Sequence, residues 1–276
     1  MAQKQIDVLA VGNVVTDVFI RLLDDQAKVV KDKGDNPWLT MAYAAKVPFE
    51  ASEVVPAVGN AANAAVSFAK LGLESGLVAN VAGDAGGREI LKTLQDAKVD
   101  TRFVSVNPGR KSQPHFVLWY KEERTILVRD SVDFEYHWPR FRIIDMPKWI
   151  YFSSVGKQAI EYDDALVAWL ESHSPVKLAL QPGTFQIQTG TKRLKKLYER
   201  AEILAVNREE ATVISGGDHD NINDLLDRLH SLGPKIVVIS DGQKGAYASD
   251  GTERYKMPIY PDPKPPYERT GAGDAF

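Results

Sequence analysis

The sequence contains no cysteine among its 276 residues. This absence excludes disulfide frameworks, zinc–thiolate centres, iron–sulfur clusters and thiol nucleophiles. An excess of either charge is also lacking, because 34 Lys and Arg residues face 37 Asp and Glu residues, a net charge of −3. The charge balance gives no basic footprint for nucleic acid, and the five histidines show no metal-ligand spacing. We therefore expect neither a nucleic-acid partner nor a histidine-based metal centre.

Long hydrophobic runs are absent as well. The longest uncharged stretch, residues 54–69, contains Pro56 and Gly59 and is too short to span a bilayer. Residues 1–5 lead directly into a short strand-like run, which is not typical of a signal peptide. We therefore expect a cytoplasmic protein without a membrane partner.

Strand-like and helix-like segments alternate along most of the chain. Short apolar runs such as residues 6–11 and 77–81 predict buried strands, and helical spacing predicts helices over 61–71 and 87–97. This alternation predicts an α/β fold with a mainly parallel sheet and helices on both faces, in a single domain over 1–276. Further predicted strands are 149–155, 176–180, 203–206 and 235–240, and further predicted helices are 164–172, 191–201, 208–214 and 222–232.

Two regions break this alternation. Residues about 14–57 start with a strand-like run and continue irregularly, and residues about 102–130 predict three antiparallel strands. The three runs cover 103–106, 116–120 and 125–128. We interpret both regions as a small β-sheet attached to the α/β body. Such a sheet is either a lid over a site, or an edge extension, or a dimer surface.

Small residues dominate residues 270–274, with the sequence TGAGD. Consecutive backbone N–H groups of small residues form a nest for an anion, and a helix that begins there adds to the attraction. Asp274 would place a carboxylate beside that anion, which is explained if it acts as general base on an attacking hydroxyl. The structural alternative is a glycine-rich turn in which Asp274 caps a helix.

Two further polar segments follow predicted strands. Residues 240–246 follow the predicted strand 235–240, at the end where open α/β sheets bind their ligands. The structural alternative is an Asp-Gly turn of a β-hairpin. Asn207 and Glu210 have the spacing of a capping box, and the functional alternative places Glu210 near Mg²⁺ through water.

Two N-terminal segments are typical of polar ligand recognition. Gly59, Asn60 and Asn63 stand at the start of a predicted helix. The two asparagine amides there either bind a polyhydroxylated ligand or cap the helix. Asp17 stands in an apolar strand, so a buried carboxylate there needs partners, which sugar hydroxyls or local N–H groups supply.

Taken together and in this order, these five signals resemble the PfkB/ribokinase-type carbohydrate kinases, and the match covers nearly the whole chain. Residues 270–276 (TGAGDAF) resemble the family signature, and Asn207 with Glu210 resembles its N-x-x-E element. The resemblance implies a Rossmann-like three-layer α/β sandwich, ribokinase-like, with a small β-sheet lid. It also implies an ATP-dependent phosphotransferase that uses Mg²⁺ and transfers the γ-phosphoryl group to a hydroxyl of a sugar or sugar-like substrate.

The resemblance further implies a role for each matched residue, with Asp274 as the base that takes the hydroxyl proton and neighbouring N–H groups stabilising the transferring phosphoryl group. By role, the set comprises Gly271, Ala272, Gly273 and Asp274 for catalysis; Asp17, Gly59, Asn60 and Asn63 for the acceptor; Asn207, Ser240, Gly242, Gly245 and Thr270 for ATP; and Glu210 for Mg²⁺.

The identity of the acceptor stays open. Val58 stands where the family's sugar motif commonly has its first glycine, and Val15 where ribose-specific members have a polar residue. A ribose, a fructose or keto-acid sugar, and a nucleoside are all compatible. The alternatives are a nucleoside kinase of the same family and a non-catalytic relative that binds a sugar or nucleotide, and a homodimer through the lid is compatible with either.

The sequence ends at Phe276, directly after the glycine-rich motif. The resemblance implies about 30–50 further residues, the length of two helices and their connections. These helices would complete the anion hole and wall off the adenine. We therefore expect a kinase chain that lacks its C-terminal helices, with low turnover as a result.

Overall fold

Strands and helices alternate along the chain in a computed structural model that describes residues 5–129, 134, 136–156, 160–261 and 273. The strands are β1 (Val8–Val11), β2 (Val15–Leu22), β3 (Ala27–Lys31), β4 (Pro37–Met41), β5 (Phe49–Val58), β6 (Ser75–Ala82), β7 (Val104–Asn107), β8 (His115–Tyr120), β9 (Glu123–Leu127), β10 (Trp149–Phe152), β11 (Lys177–Leu180), β12 (Ile203–Asn207), β13 (Ile236–Ser240), β14 (Ala246–Ser249) and β15 (Arg254–Met257). The α-helices are α1 (Asn60–Lys70), α2 (Ala85–Asp96), α3 (Ile160–Ser172), α4 (Thr184–Thr189), α5 (Lys195–Arg200), α6 (Arg208–Ser215) and α7 (Ile222–Ser231).

The body of the protein is a nine-stranded sheet with the order β15-β14-β13-β12-β11-β10-β1-β6-β7. Neighbouring strands from β13 to β7 are parallel, whereas β14 and β15 continue the sheet antiparallel at one edge. The chain builds outward from β1 on one side through β6 and β7, and on the other side through β10 to β13. The order therefore reverses beside β1, and open α/β sheets bind ligands at such a point.

Alternate residues of the central strands supply the cores on the two faces of this sheet. Leu9 and Val11 of β1 belong to the apolar cluster that includes α3, α5, α6 and α7, while Val8 and Ala10 belong to the cluster that includes α1 and α2. Helices thus cover both faces and give three layers, as predicted. Among the described residues, no helix has the length and apolar character needed to cross a bilayer.

A separate four-stranded sheet with the order β5-β2-β8-β9 forms the predicted lid. Strands β2 and β5 are antiparallel, β2 and β8 are parallel, and β8 and β9 form an antiparallel hairpin. The hairpin β3–β4 extends from the lid between β2 and β5. The residues that join β1 to β2 connect the lid directly to the point where the main sheet reverses its order.

The structure corrects three details of the sequence interpretation. The run 103–106 was assigned to the lid, but β7 pairs parallel with β6 at the edge of the main sheet, because the short crossover through α2 returns the chain there. Residues 27–41, predicted as irregular, form a hairpin whose turn is held by Asp32, which accepts hydrogen bonds from Gly34 and Asn36 backbone N–H groups.

The third correction concerns the predicted helix 191–201. It is the shorter α5, and the preceding α4 was not predicted. Gly190, with φ of 88°, ends α4 in a conformation that favours glycine, so the apolar spacing is divided between two short helices.

Candidate active site

A cleft of about 1590 Å³ lies at the carboxyl ends of the parallel strands. Residues that follow or end neighbouring strands line its floor, and these are Asn13, Ser154, Gln181, Asn207 and Ser240. Strands β2, β5 and β9 of the lid line the opposite wall. The cleft therefore lies where the order of the main sheet reverses and is enclosed on one side by the lid.

The four residues predicted to bind the acceptor meet at one part of this cleft. Asp17, Gly59, Asn60 and Asn63 all line it. Gly59 adopts φ of 111°, and a Cβ there would lie 3.0 Å from the backbone oxygen of Asn13, so glycine lets the chain turn closely into α1. The N-cap of α1 is Gly59 itself, without a side-chain cap hydrogen bond, so Asn60 and Asn63 do not serve as the cap.

The Asp17 carboxylate lies almost buried between the lid and the cleft, with 8 % of the residue exposed. Its Oδ1 has no hydrogen-bond partner among the described residues, and the Nδ1 of His115 lies 3.6 Å from it. Burial raises the pKa of Asp17 above its ordinary value, and the neighbouring His115 lowers it in part. A buried carboxylate without a described donor matches the requirement for a ligand that supplies hydroxyl donors.

Two of the residues predicted to bind ATP stand on adjacent strands. Asn207 and Ser240 are paired in the parallel register of β12 and β13. The Asn207 Oδ1 accepts from the Glu210 N–H at 2.8 Å, and the Glu210 Oε2 accepts from the Asn207 N–H at 2.9 Å. The predicted capping box is therefore present, and it fixes the side chain of Glu210, a residue that lines the cleft.

Gly242 and Gly245 form the turn between β13 and β14. A 3₁₀ turn spans Gly242–Lys244, and the Asp241 N–H donates to the Gly245 oxygen at 2.8 Å. A Cβ on Gly245 would lie 2.0 Å from the Met257 oxygen, so the approach of β15 requires glycine there. The hairpin interpretation is confirmed, and neither glycine is among the described residues that line the cleft.

The glycine-rich motif falls almost entirely outside the described residues. Thr270, Gly271, Ala272 and Asp274 lie outside them, while Gly273 is described and lines the cleft. Among the described residues, no atom lies within 4 Å of a Cβ built on Gly273.

An ion pair between Arg208 and Asp241 was not predicted from the sequence. Arg208 is buried, with 6 % of the residue exposed. Its Nη1 lies 2.6 Å from the Asp241 Oδ2, and its Nε donates to the backbone oxygen of His219. The pair joins the start of α6 to the turn after β13 and so fixes the two strand ends that carry Asn207 and Ser240. Only the strand order could reveal it, because 33 residues separate the partners.

A second contact that sequence reasoning missed anchors the lid to the body. Asp84 caps α2 by accepting from the Gly87 N–H at 3.0 Å, and it also accepts from the backbone N–H and hydroxyl of Ser112, each at 2.7 Å. These hydrogen bonds lower the pKa of Asp84 to about 2. Ser112 leads directly into β8 and His115, so Asp84 holds the chain where it enters the lid.

The residues at the phosphate end suit a weakly held Mg²⁺ rather than a built metal centre. Among the described residues, no cluster of three or more His, Asp or Glu side chains could hold a metal ion. One carboxylate facing the cleft, that of Glu210, fits Mg²⁺, which keeps several waters and is held by one or two carboxylates with substrate phosphates. The donor set therefore fits Mg²⁺ only when a polyphosphate is bound.

Comparison with known proteins agrees with this geometry. The family model described as pfkB family carbohydrate kinase matches residues 47–276. The chain is 30% identical to aminoimidazole riboside kinase of Salmonella typhimurium over 237 residues, covering 79% of the chain and 70% of that protein. It is 24% identical to ATP-dependent 6-phosphofructokinase of Thermoanaerobacterium thermosaccharolyticum over 234 residues, covering 79% and 69%.

A solved structure shows the same fold. Ribokinase of Arabidopsis thaliana, complexed with ribose and ATP, superposes with a TM-score of 0.73 at 18% identity, and the match covers 98% of this chain and 83% of that one. The fold, the cleft at the reversal of strand order and the family match over most of the sequence agree. The chain belongs to the pfkB family of carbohydrate kinases.

Proposed function

We propose that the protein transfers the γ-phosphoryl group of ATP to a hydroxyl of a sugar or sugar-like acceptor. The observation that carries the proposal is that one cleft, at the reversal of strand order, joins the predicted acceptor residues to the predicted phosphate residues. Asp17 lines it on the lid, Asn63 lines it at the start of α1, and Asn207, Ser240 and Gly273 line it as well.

The acceptor is held by groups that both donate and accept hydrogen bonds. The Asp17 carboxylate accepts hydrogen bonds from the hydroxyls of the bound sugar. The side-chain amides of Asn60 and Asn63 both donate and accept hydrogen bonds, and Gly59 leaves room for the sugar beside α1. These side chains come from the lid and from the start of a helix on the body. Binding therefore draws the lid toward the body and excludes water from the hydroxyl that reacts.

The nucleotide is held along β12 and β13, where Asn207 contacts its phosphates, while Ser240 and the turn with Gly242 and Gly245 border it. Thr270 adds a hydroxyl at the glycine-rich motif. Glu210 would hold Mg²⁺, which would supply positive charge against the phosphate oxygens.

The proposed location of the protein is the cytoplasm, where ATP is supplied. The proposed assembly is a homodimer through the lid.

The reaction is an in-line displacement at the γ-phosphorus. The acceptor oxygen forms a bond to phosphorus, the bond from phosphorus to the bridging oxygen breaks, and ADP leaves. Asp274 takes the hydroxyl proton, and the N–H groups of Ala272, Gly273 and Asp274 stabilise the charge on the transferring group.

A nucleoside acceptor is the second candidate, because aromatic side chains line the cleft beside the acceptor residues. Phe19 on the lid, Phe134 and Tyr136 line it together with Asp17, and the Tyr136 hydroxyl donates to the Oδ1 of Asn13, which follows β1. Aromatic faces of this kind stack on a nucleobase.

ADP release measured with a panel of sugars and nucleosides tests the proposal. ADP formation that depends on one acceptor, and a phosphorylated product, support it. Binding of acceptor or nucleotide without any ADP release would instead indicate a non-catalytic relative. A reaction without added acceptor serves as the control for background ATP hydrolysis.

A further inference from the structure

His115 stands directly opposite Asp17 on the inner face of the lid. Strands β2 and β8 are parallel, and their register pairs these two residues. Two residues further along the same face, Phe19 of β2 pairs with Val117 of β8, and Val117 pairs in turn with Ile126 of β9. Phe19 and Ile126 line the cleft together with Asp17 and His115, so this face of the lid points toward the acceptor.

The two side chains are close enough to interact but leave hydrogen-bonding capacity for a ligand. The Nδ1 of His115 and the Oδ1 of Asp17 are 3.6 Å apart, longer than a hydrogen bond, and the side chains are 24% and 12% exposed. Among the described residues, no donor reaches the Asp17 Oδ1. A protonated imidazole would offset the cost of burying this carboxylate and would itself present N–H donors.

Other titratable side chains face the cleft from the surrounding elements. The strand β5 contributes only valines to this wall, and α1 contributes no charged group. Besides Asp17 and His115, the described titratable side chains that line the cleft are Glu89 on α2, Arg124 on β9, Arg129 after β9, Tyr136, Tyr151 and Glu210 on α6. Among the described residues, His115 is the one whose basic nitrogen lies within ion-pair distance of Asp17.

We propose that His115 determines acceptor specificity: an N–H group of its imidazole ring donates to one acceptor hydroxyl while Asp17 accepts from the adjacent hydroxyl. The separation of the two side chains is comparable to that of oxygens on neighbouring carbons, so the pair selects an acceptor with two adjacent free hydroxyls. This inference rests on the proposed function, since it assigns the acceptor to the part of the cleft that contains Asp17.

Steady-state kinetics of the full chain test the pair. The acceptor is whichever of D-ribose, D-fructose and cytidine the wild-type chain phosphorylates best, and its single-deoxy analogues serve as probes. His115→Gln is expected to raise the KM for this acceptor several-fold, because the flexible amide does not keep a donor at the position of the ring N–H, with the KM for ATP unchanged. The increase should vanish for the one deoxy analogue that lacks the contacted hydroxyl.

The division of the effect between KM and kcat separates recognition from a structural role. His115→Gln should raise the KM for the acceptor and leave kcat nearly unchanged, because the lost contact holds the acceptor and takes no part in the transfer. A fall in kcat with both KM values unchanged would overturn the assignment. His173→Gln is the matched control, because His173 stacks on Trp169 of α3 outside the cleft lining, and its kinetic constants should equal those of the wild type.

Calorimetric titration of the same three acceptors provides a readout independent of turnover. Weaker binding by His115→Gln than by the wild type supports the inference even if no ADP is released, in which case only the proposed catalysis fails. Equal KM values, equal affinities or an undiminished effect on every deoxy analogue would overturn it. Absence of acceptor binding by the wild type would overturn both proposals. His115→Asn, with its melting curve, repeats the comparison if His115→Gln is unstable.

Discussion

The Nη1 of Arg208 lies 2.6 Å from the Oδ2 of Asp241, and this ion pair joins the ends of two neighbouring parallel strands. The two side chains are 7% and 12% exposed. Removal of one partner from a buried pair leaves an uncompensated charge. The contact therefore stabilises the edge of the cleft that the nucleotide is proposed to occupy.

Arg208→Met is expected to lower the free energy of unfolding by about 3 kcal/mol or more, because it leaves the Asp241 carboxylate buried without its partner. Urea unfolding of the full chain measures the change. Arg193→Met is the matched control, since Arg193 pairs with Asp164 at side-chain exposures of 40% and 62%, and it should cost less than about 1 kcal/mol. Equal losses in the two variants would contradict the assigned difference in burial.

Asp163 is expected to make stability depend on pH. Burial raises its pKa from 3.8 to about 7, and its Oδ1 has no hydrogen-bond partner among the described residues. The folded state therefore binds this proton more tightly than the unfolded chain, so the free energy of unfolding falls as the pH rises between those two values. Asp163→Asn should remove that decline, as measured by urea unfolding at about pH 5 and about pH 8.

Asp250 provides the control for this experiment. Hydrogen bonds from the Glu253 and Thr252 N–H groups lower the pKa of Asp250 to about 2, so its contribution is lost only as the pH falls below the ordinary range of a carboxylate. Asp250→Asn should leave the decline between about pH 5 and 8 unchanged. An unaltered decline in Asp163→Asn would show that another group causes it.

Asp84 is expected to couple the stability of α2 to the position of the lid. Asp84→Ala removes the N-cap of α2 and both hydrogen bonds to Ser112, so it should cost about 2 kcal/mol and raise the KM for the acceptor by displacing the entry to β8. Because the pKa of Asp84 is lowered to about 2, its contribution should persist above the ordinary value of 3.8 and disappear as the pH falls toward 2.

Urea unfolding and acceptor kinetics measure the two effects of Asp84→Ala. Asp96→Ala is the control on the same helix, because Asp96 is exposed and pairs with Lys92 one turn away. It should change stability by less than about 0.5 kcal/mol and leave the acceptor KM unaltered. An Asp84→Ala variant with a normal acceptor KM would show that the contact serves stability alone.

Asp274→Asn is expected to lower kcat at least about a hundredfold, because an amide cannot take the proton of the attacking hydroxyl. The KM values for ATP and acceptor should change much less, since the side chain keeps its size. Turnover with the best acceptor of the panel measures the effect, with Asp96→Asn as a carboxylate-to-amide control. Near-normal turnover in Asp274→Asn would exclude this residue as the base.

Local pattern sufficed to predict most of the fold. The continuous apolar run of β1, which is buried throughout, and the amphipathic spacing of α2 are local patterns, and both elements form at the predicted places. The hairpin β3–β4 and helix α4 escaped prediction because an exposed strand and a helix of one or two turns have no clear period. The run 103–106, predicted in the lid, forms β7 of the main sheet instead, because its place depends on how the whole sheet packs.

The candidate site divides in the same way. Asn207 and Glu210 form the capping box that their spacing predicts, because the contact spans three residues. The approach of His115 to Asp17 spans 98 positions and depends on the register of two parallel lid strands, so no local motif encodes it.

The sequence alone determined the α/β class, the family resemblance and the residue types at the cleft, since composition, periodicity and short motifs depend on neighbouring residues. Only the tertiary structure decided which of those residues meet: the pairing of Asn207 with Ser240, the Arg208–Asp241 ion pair, and the His115–Asp17 pair. The physical reason is that strand order and register follow from packing the whole sheet, which brings together carboxyl ends that lie far apart along the chain.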